Sequence, residues 1–168
     1  MTARLTFRQR MAVAISHEQA VDQELQRRGW EVFDFGQATL PFQMFAHLHV
    51  LPVAIRWRPD RIARRPGTQM AALVDAKGTT ERNRESANHA IECDSLSSLV
   101  GHADANGLEC YVVFHDFKVA TAHALAAIVE RGDVGSGQGG GLGSGTPYWL
   151  IPRRYIHDDL DSVFGWPL

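Results

Sequence analysis

Between Thr6 and Arg28 the side chains of Ala14, Val21 and Leu25 recur at helical spacing on one face, and the same face carries Glu18. The pattern predicts a helix over this stretch, ended by Gly29. From Trp30 to Phe35 the period changes to two, with Trp30, Val32 and Asp34 alternating against Glu31, Phe33 and Phe35, as in a strand. Pro41 and Pro52 bracket residues 42–51, whose pattern fits no regular element. Two further strands are predicted at Ala54 to Ala63 and Met70 to Ala76, joined through the turn-forming Arg65-Pro66-Gly67.

A short amphipathic helix follows, with Asp94 or Ser95 as its N-cap, Leu96, Leu99, Val100 and Ala103 as its apolar stripe, and Asn106-Gly107 as its stop. The continuous apolar run Cys110 to Phe114 predicts a buried central strand, and Ala120 to Arg131 another helix. Residues 132–145 are dense in glycine and predict a flexible loop. Tyr148 to Ile151 reads as a last strand and Asp158 to Phe164 as a last helical turn or two. Helices and strands interleaved in this order predict one α/β domain, residues 1–168, around a mixed central sheet.

With 45% apolar and 21% charged residues, the chain has a globular mix that excludes a disordered or fibrous polymer. Its apolar stretches fall short of the ~20 residues that span a bilayer, and Met1 to Gln9 lacks the apolar block of a secretory signal, so a cytoplasmic protein is expected. Cys93 and Cys110 are too few for a disulfide framework and are expected to be reduced. A net charge of -2 excludes a protein that binds nucleic acid by being basic all over. The charge is uneven, however: between Val53 and Glu85 stand Arg56, Arg58, Arg61, Arg64, Arg65, Lys77, Arg82 and Arg84 against Asp60, Asp75, Glu81 and Glu85. Arginine's planar fork suits phosphate contact.

The chemistry centres on Pro59-Asp60, an interval of fourteen residues, and Asp75-Ala76-Lys77. Residues two apart in a strand share a face, so Asp75 and Lys77 point the same way. Two carboxylates converging from neighbouring strands make the oxygen-rich environment that hard cations such as Mg²⁺ prefer. A lysine beside them can orient a water and offset charge on a phosphate. Glu18, on an apolar helix face, needs a partner if it is buried, and a metal or a lysine would serve.

These residues resemble the PD-(D/E)xK nuclease superfamily, through Pro59-Asp60, Asp75-Ala76-Lys77 and a glutamate on the preceding helix, and within it the archaeal-type Holliday-junction resolvases and related phage recombination nucleases. The resemblance covers Ser16 to Leu125. It implies a restriction-endonuclease-like core and a Mg²⁺-dependent DNA endonuclease, with Mn²⁺ able to substitute. Asp60, Asp75 and the Ala76 carbonyl would hold the metal with help from Glu18, Lys77 would assist the attacking water, and a 5′-phosphate end would result. Arg58, Arg61, Arg64, Arg65, Thr79 or Thr80, Arg82 and Arg84 would contact DNA, and a two-fold homodimer would cut a branched substrate symmetrically. The segment 42–51 and the glycine loop depart from compact resolvases and bear on the substrate. The same residues fit a restriction-type or single-strand-specific nuclease, and an inactive nuclease fold serving as a DNA-binding or assembly module is the rival from another class.

His47 and His49 could share a strand face around a transition metal, although packing or solvent exposure is the simpler role. The glycine loop lacks the Gly-Lys-Ser/Thr ending of a phosphate-binding loop. Trp57 and Trp149 read as core residues, with stacking on bases as their functional alternative.

Overall fold

The computed structural model describes residues 7–45, 47, 50–78, 86–138 and 146–165. The first helix, α1 (Phe7–Arg27), ends as its sequence predicts. Gly29 takes a left-handed φ of 80°, and the Trp30 amide donates back to the Leu25 carbonyl at 3.1 Å. On the predicted stripe Val21 and Leu25 are buried, Glu18 is half-buried and Ala14 is exposed. β1 (Glu31–Asp34) follows, then a 3₁₀ turn at Gln37–Thr39 and the short helix α2 (Phe42–Phe45) inside the segment the sequence left unassigned.

The long strand predicted from Ala54 to Ala63 is two elements, a one-turn helix α3 (Val53–Arg56) and β2 (Arg61–Arg64). Pro52 presets the backbone for the helical turn, and Pro59, which has no N–H to give a ladder, delays the strand until after Asp60. β3 (Ala71–Lys77) is the predicted strand. β4 (Asn88–Glu92) has no counterpart in the sequence reading: only His89 and Ile91 turn inward, too short an alternation to stand out.

α4 (Cys93–Asn106) stops at Gly107, with φ of 62°, as expected, but its N-cap is Glu92, without a capping side chain, instead of Asp94 or Ser95. β5 (Cys110–Phe114) is the buried strand. The helix expected from Ala120 is preceded by β6 (Lys118–Thr121) and runs as α5 (Ala122–Glu130), because the Thr121 hydroxyl caps it by accepting from the Ala124 amide.

Part of the expected glycine loop is ordered strand: β7 (Gly135–Gln138) pairs antiparallel with β8 (Pro147–Pro152). A Cβ on Gly137 would stand 2.5 Å from the Tyr148 ring, so glycine there lets the ring cross the ladder. The chain ends in a 3₁₀ turn (Arg153–Tyr155), β9 (Asp158–Asp159) and α6 (Leu160–Phe164), which opens with a capping box between Asp159 and Ser162.

The main sheet has the order β1-β2-β3-β5-β6-β9, in which only β3 and β5 run parallel, and a second sheet has the order β4-β8-β7. This is the mixed α/β sheet flanked by helices that the sequence predicts. Alternation divides the core into two layers. Leu73, Val112 and Phe114 pack with Leu96, Leu99, Leu125 and Ile151 on one side, and Val74 and Val113 with Val21, Leu25, Trp30 and Phe164 on the other. Among the described residues no helix is long and apolar enough to cross a membrane, and Cys93 and Cys110 are both free thiols.

Candidate active site

Asp60 is held by its backbone. Its carbonyl accepts from the Phe35 amide at 2.9 Å and the Gly36 amide at 3.0 Å, and a Cβ on Gly36 would lie 3.1 Å from the Asp60 Cα. The register pairs Arg61 with Val74, which brings Asp60 beside the last residues of β3, where its Oδ2 accepts from the Ala76 amide at 2.8 Å. In an extended strand the N–H and C=O of one residue face the same edge, so the Ala76 carbonyl is turned toward Asp60 as well.

Asp75 and Lys77 share the opposite pleat from Ala76, and the Lys77 ammonium lies 2.9 Å from Asp75 Oδ2, 3.7 Å from Glu92 Oε2 and 6.0 Å from the centre of the Trp57 ring. Burial alone would lower the lysine's pKa, but the carboxylates of Asp75, Glu92 and Asp60 outweigh it and hold the ammonium above its ordinary value. Lys77 is therefore a fixed positive charge at neutral pH.

α1 reaches the end of β3 so closely that a Cβ on Gly78 would stand 3.2 Å from the His17 Cβ. This places Glu18 near Asp60 and Asp75. Burial raises the Glu18 pKa, while Arg61, 3.3 Å away, opposes the rise. Among the described residues the side chain paired with half-buried Glu18 is thus an arginine, Arg61, where the sequence suggested a metal or a lysine, and Arg61 also binds Asp22 at 2.9 Å and Asp34 at 3.3 Å.

Asp60 carries the strain of the cluster. Burial first, and then the charges of Asp75 and Glu18, push its carboxyl from 3.8 up to about 8, against the opposing pull of Lys77 and the Ala76 amide. Because the folded pKa is raised, the folded chain retains a proton that the unfolded chain loses, and stability falls as pH rises from about 4 to about 8. In EDTA, Asp60→Asn is expected to flatten that slope and to stabilise the protein at pH 8 by on the order of 1–3 kcal/mol. Urea denaturation across the pH window checks this, and an unchanged slope would contradict it.

The remaining predicted contacts are scattered. Arg58, two residues before Asp60, stacks over Phe35 at 4.4 Å. Arg61 is occupied by three carboxylates. Arg64 pairs with Glu31 at 2.7 Å, and Arg65 is buried over the Trp30 ring. Both lie at the far end of β2, roughly 13–16 Å along the strand from Asp60 at 3.3 Å per residue. Thr79, Thr80, Arg82, Arg84 and His49 lie outside the described residues.

Sequence reasoning missed Glu92, whose only signal is its position at a strand-to-helix junction, and the contact of Trp57 with Lys77. It also missed a cluster of His89, His115 and Asp116 at the end of β5, assembled from distant segments.

A mixed sheet of this strand order, flanked by helices, is a restriction-endonuclease-like fold. In keeping with this, the chain matches the Holliday-junction resolvase Hjc of Archaeoglobus fulgidus at a TM-score of 0.55 and 12% identity, over 92% of this chain and 98% of that one. It is also similar to D212, a nuclease from a fusselovirus, at a TM-score of 0.48 and 11% identity, over 98% of this chain and 93% of that one. No protein-family model and no curated sequence matches it.

Proposed function

We propose that this chain is a metal-dependent DNA endonuclease that acts on branched DNA. The observation that carries the reading is the convergence of Asp60, Asp75, Glu18 and Lys77 at the end of β3, on a fold shared with a Holliday-junction resolvase. The donor set fits a hard divalent cation such as Mg²⁺ or Mn²⁺: it is all oxygen, and Asp60 stays protonated near neutral pH when no cation offsets its neighbours. Asp60, Asp75 and the Ala76 carbonyl would hold the ion, with Glu18 alongside. Bound there, it would supply Lewis-acid activation of water and of the phosphodiester.

The chain's own groups do the rest. Lys77, kept charged chiefly by the Asp75 and Glu92 carboxylates, faces the developing phosphorane charge and orients the attacking water. Arg61 holds Glu18 in place by tying it to Asp22 and Asp34. Arg58 and the segment 79–85 are the candidates for backbone contact with DNA, whereas Arg61 is committed within the protein. A two-fold dimer would present two such sites to a four-way junction, in the cell interior.

The test is cleavage of labelled four-way junction, flap, linear duplex and single-stranded DNA with Mg²⁺, with Mn²⁺ and with EDTA. Paired symmetric cuts in the junction, abolished by EDTA, are expected. Preferential cutting of another substrate would move the biology to the restriction-type or single-strand reading, and binding without cleavage under any ion would make the chain an inactive module.

A further inference from the structure

The turn that follows β5 brings a second set of ligand-type side chains together. Lys77 and Phe114 are register partners, so His115 and Asp116 emerge from the strand end next to the carboxylate cluster. Phe117, with φ of 59°, closes the turn by donating its amide to the Phe114 carbonyl at 2.8 Å. From the other sheet, β4 inserts His89, whose ring stacks on Phe114 at 4.2 Å and meets the His115 ring edge-on at 5.3 Å.

The His89 side chain is fully buried, yet among the described residues neither ring nitrogen finds a hydrogen-bond partner; Nε2 stands 3.4 Å from Asp116 Oδ2. A buried polar group in that condition is costly and needs a partner. One ligand atom from each of His89, His115 and Asp116 lies within 4.8 Å of the others. Arg153, just after β8, reaches the same place: it donates to His115 Nε2 at 2.8 Å and lies 3.5 Å from Asp116 Oδ2. A guanidinium only donates, so the His115 Nε2 lone pair accepts this bond and is the atom an ion would have to take over from Arg153.

We propose that His89, His115 and Asp116 form a transition-metal site of the Zn²⁺ class, separate from the oxygen-only cluster, with Arg153 filling the cation position until the ion displaces it. Two imidazoles and a carboxylate are a donor set that Zn²⁺ and Co²⁺ accept and Mg²⁺ does not favour. His89 belongs to the small sheet, and His115 and Asp116 follow a strand of the main one, so a bound ion would clamp the two sheets together. Coordination would also satisfy His89, which the described residues leave without a hydrogen bond.

The experiment uses the full chain carrying Asp60→Asn, which weakens the carboxylate cluster, titrated with Co²⁺ and separately with Zn²⁺. One equivalent of Co²⁺ is expected to give the strong visible absorption of a four-coordinate, nitrogen-ligated ion, and Zn²⁺ to raise the melting temperature. Both effects should disappear on adding His115→Ala or Asp116→Asn, which spare buried His89. Arg153→Met should tighten Co²⁺ binding by about tenfold by removing the competing cation. A weak six-coordinate spectrum in both the Asp60→Asn and Arg153→Met proteins would overturn the proposal, as would nitrogen-ligated binding that survives His115→Ala.

Discussion

Asp75→Asn is expected to slow DNA cleavage by roughly 10³-fold at saturating substrate while DNA affinity changes only a few-fold, the pattern of an interaction made in the transition state. The substitution keeps the shape of a side chain that is only 4% exposed and removes its charge. Two functions go with that charge. It is one of two acids proposed to hold the metal, and it is the first of the carboxylates that keep Lys77 protonated.

Because a buried ion pair broken on one side leaves an uncompensated charge, a stability loss of about 3 kcal/mol should accompany the loss of activity. Glu92 and Asp60 remain to soften it. Single-turnover rates, junction binding and urea melts on the same preparation separate the two effects. If cleavage stays within tenfold of the parent in a folded Asp75→Asn protein, the chemistry resides elsewhere.

Phe164→Ala is expected to cost about 3–5 kcal/mol, although it lies four residues from the end of the chain. The ring is 1% exposed and packs edge-on against Trp30 at 5.2 Å and Tyr111 at 5.1 Å, in the layer that contains Val21 and Leu25. Its carbonyl accepts from the Trp30 indole at 2.9 Å, and Asp161 of the same helix binds Arg28. α6 therefore fastens the carboxyl end of α1, the helix that carries Glu18. Denaturant unfolding should show a lower midpoint at an unchanged slope. A loss below 1 kcal/mol would mean that the terminal helix is an ornament on the core.

How much of this could be read from the sequence depended on whether a feature was periodic or assembled. The period-two rule put Asp75 and Lys77 on one face of β3, and the structure joins them at 2.9 Å. Helical spacing singled out Glu18 as the odd acid on an apolar stripe, and it sits against the cluster. β6 and β7 were hidden, the first because Ala120 and Ala122 read as helix before the Thr121 cap is considered, the second because glycine is a loop residue until Tyr148 is seen above Gly137. The arginines could not be sorted from the sequence: their number suggested phosphate contact, but which carboxylate lies nearby is a tertiary fact, and it pairs Arg61 with Glu18, Asp22 and Asp34. Glu92, His89 and Asp116 likewise acquire meaning only through sheet pairing.

The strand connections also imply an order of events during folding. β2 and β3 are linked by residues 65–70 alone, an antiparallel hairpin whose closure costs little entropy and is fast, whereas β3 gains its parallel neighbour β5 only after residues 78–109 have crossed over through β4 and α4. Non-local parallel pairing is intrinsically slower than hairpin formation. Asp60 can thus meet Ala76 before the end of β3 is covered, and burial, the first cause of its raised pKa, comes with the later layers. Lys77 gains its Glu92 partner only when β4 docks. The growing chain consequently carries the two acids together before it encloses the lysine between Asp75 and Glu92, and the candidate site is complete only when β4 has docked.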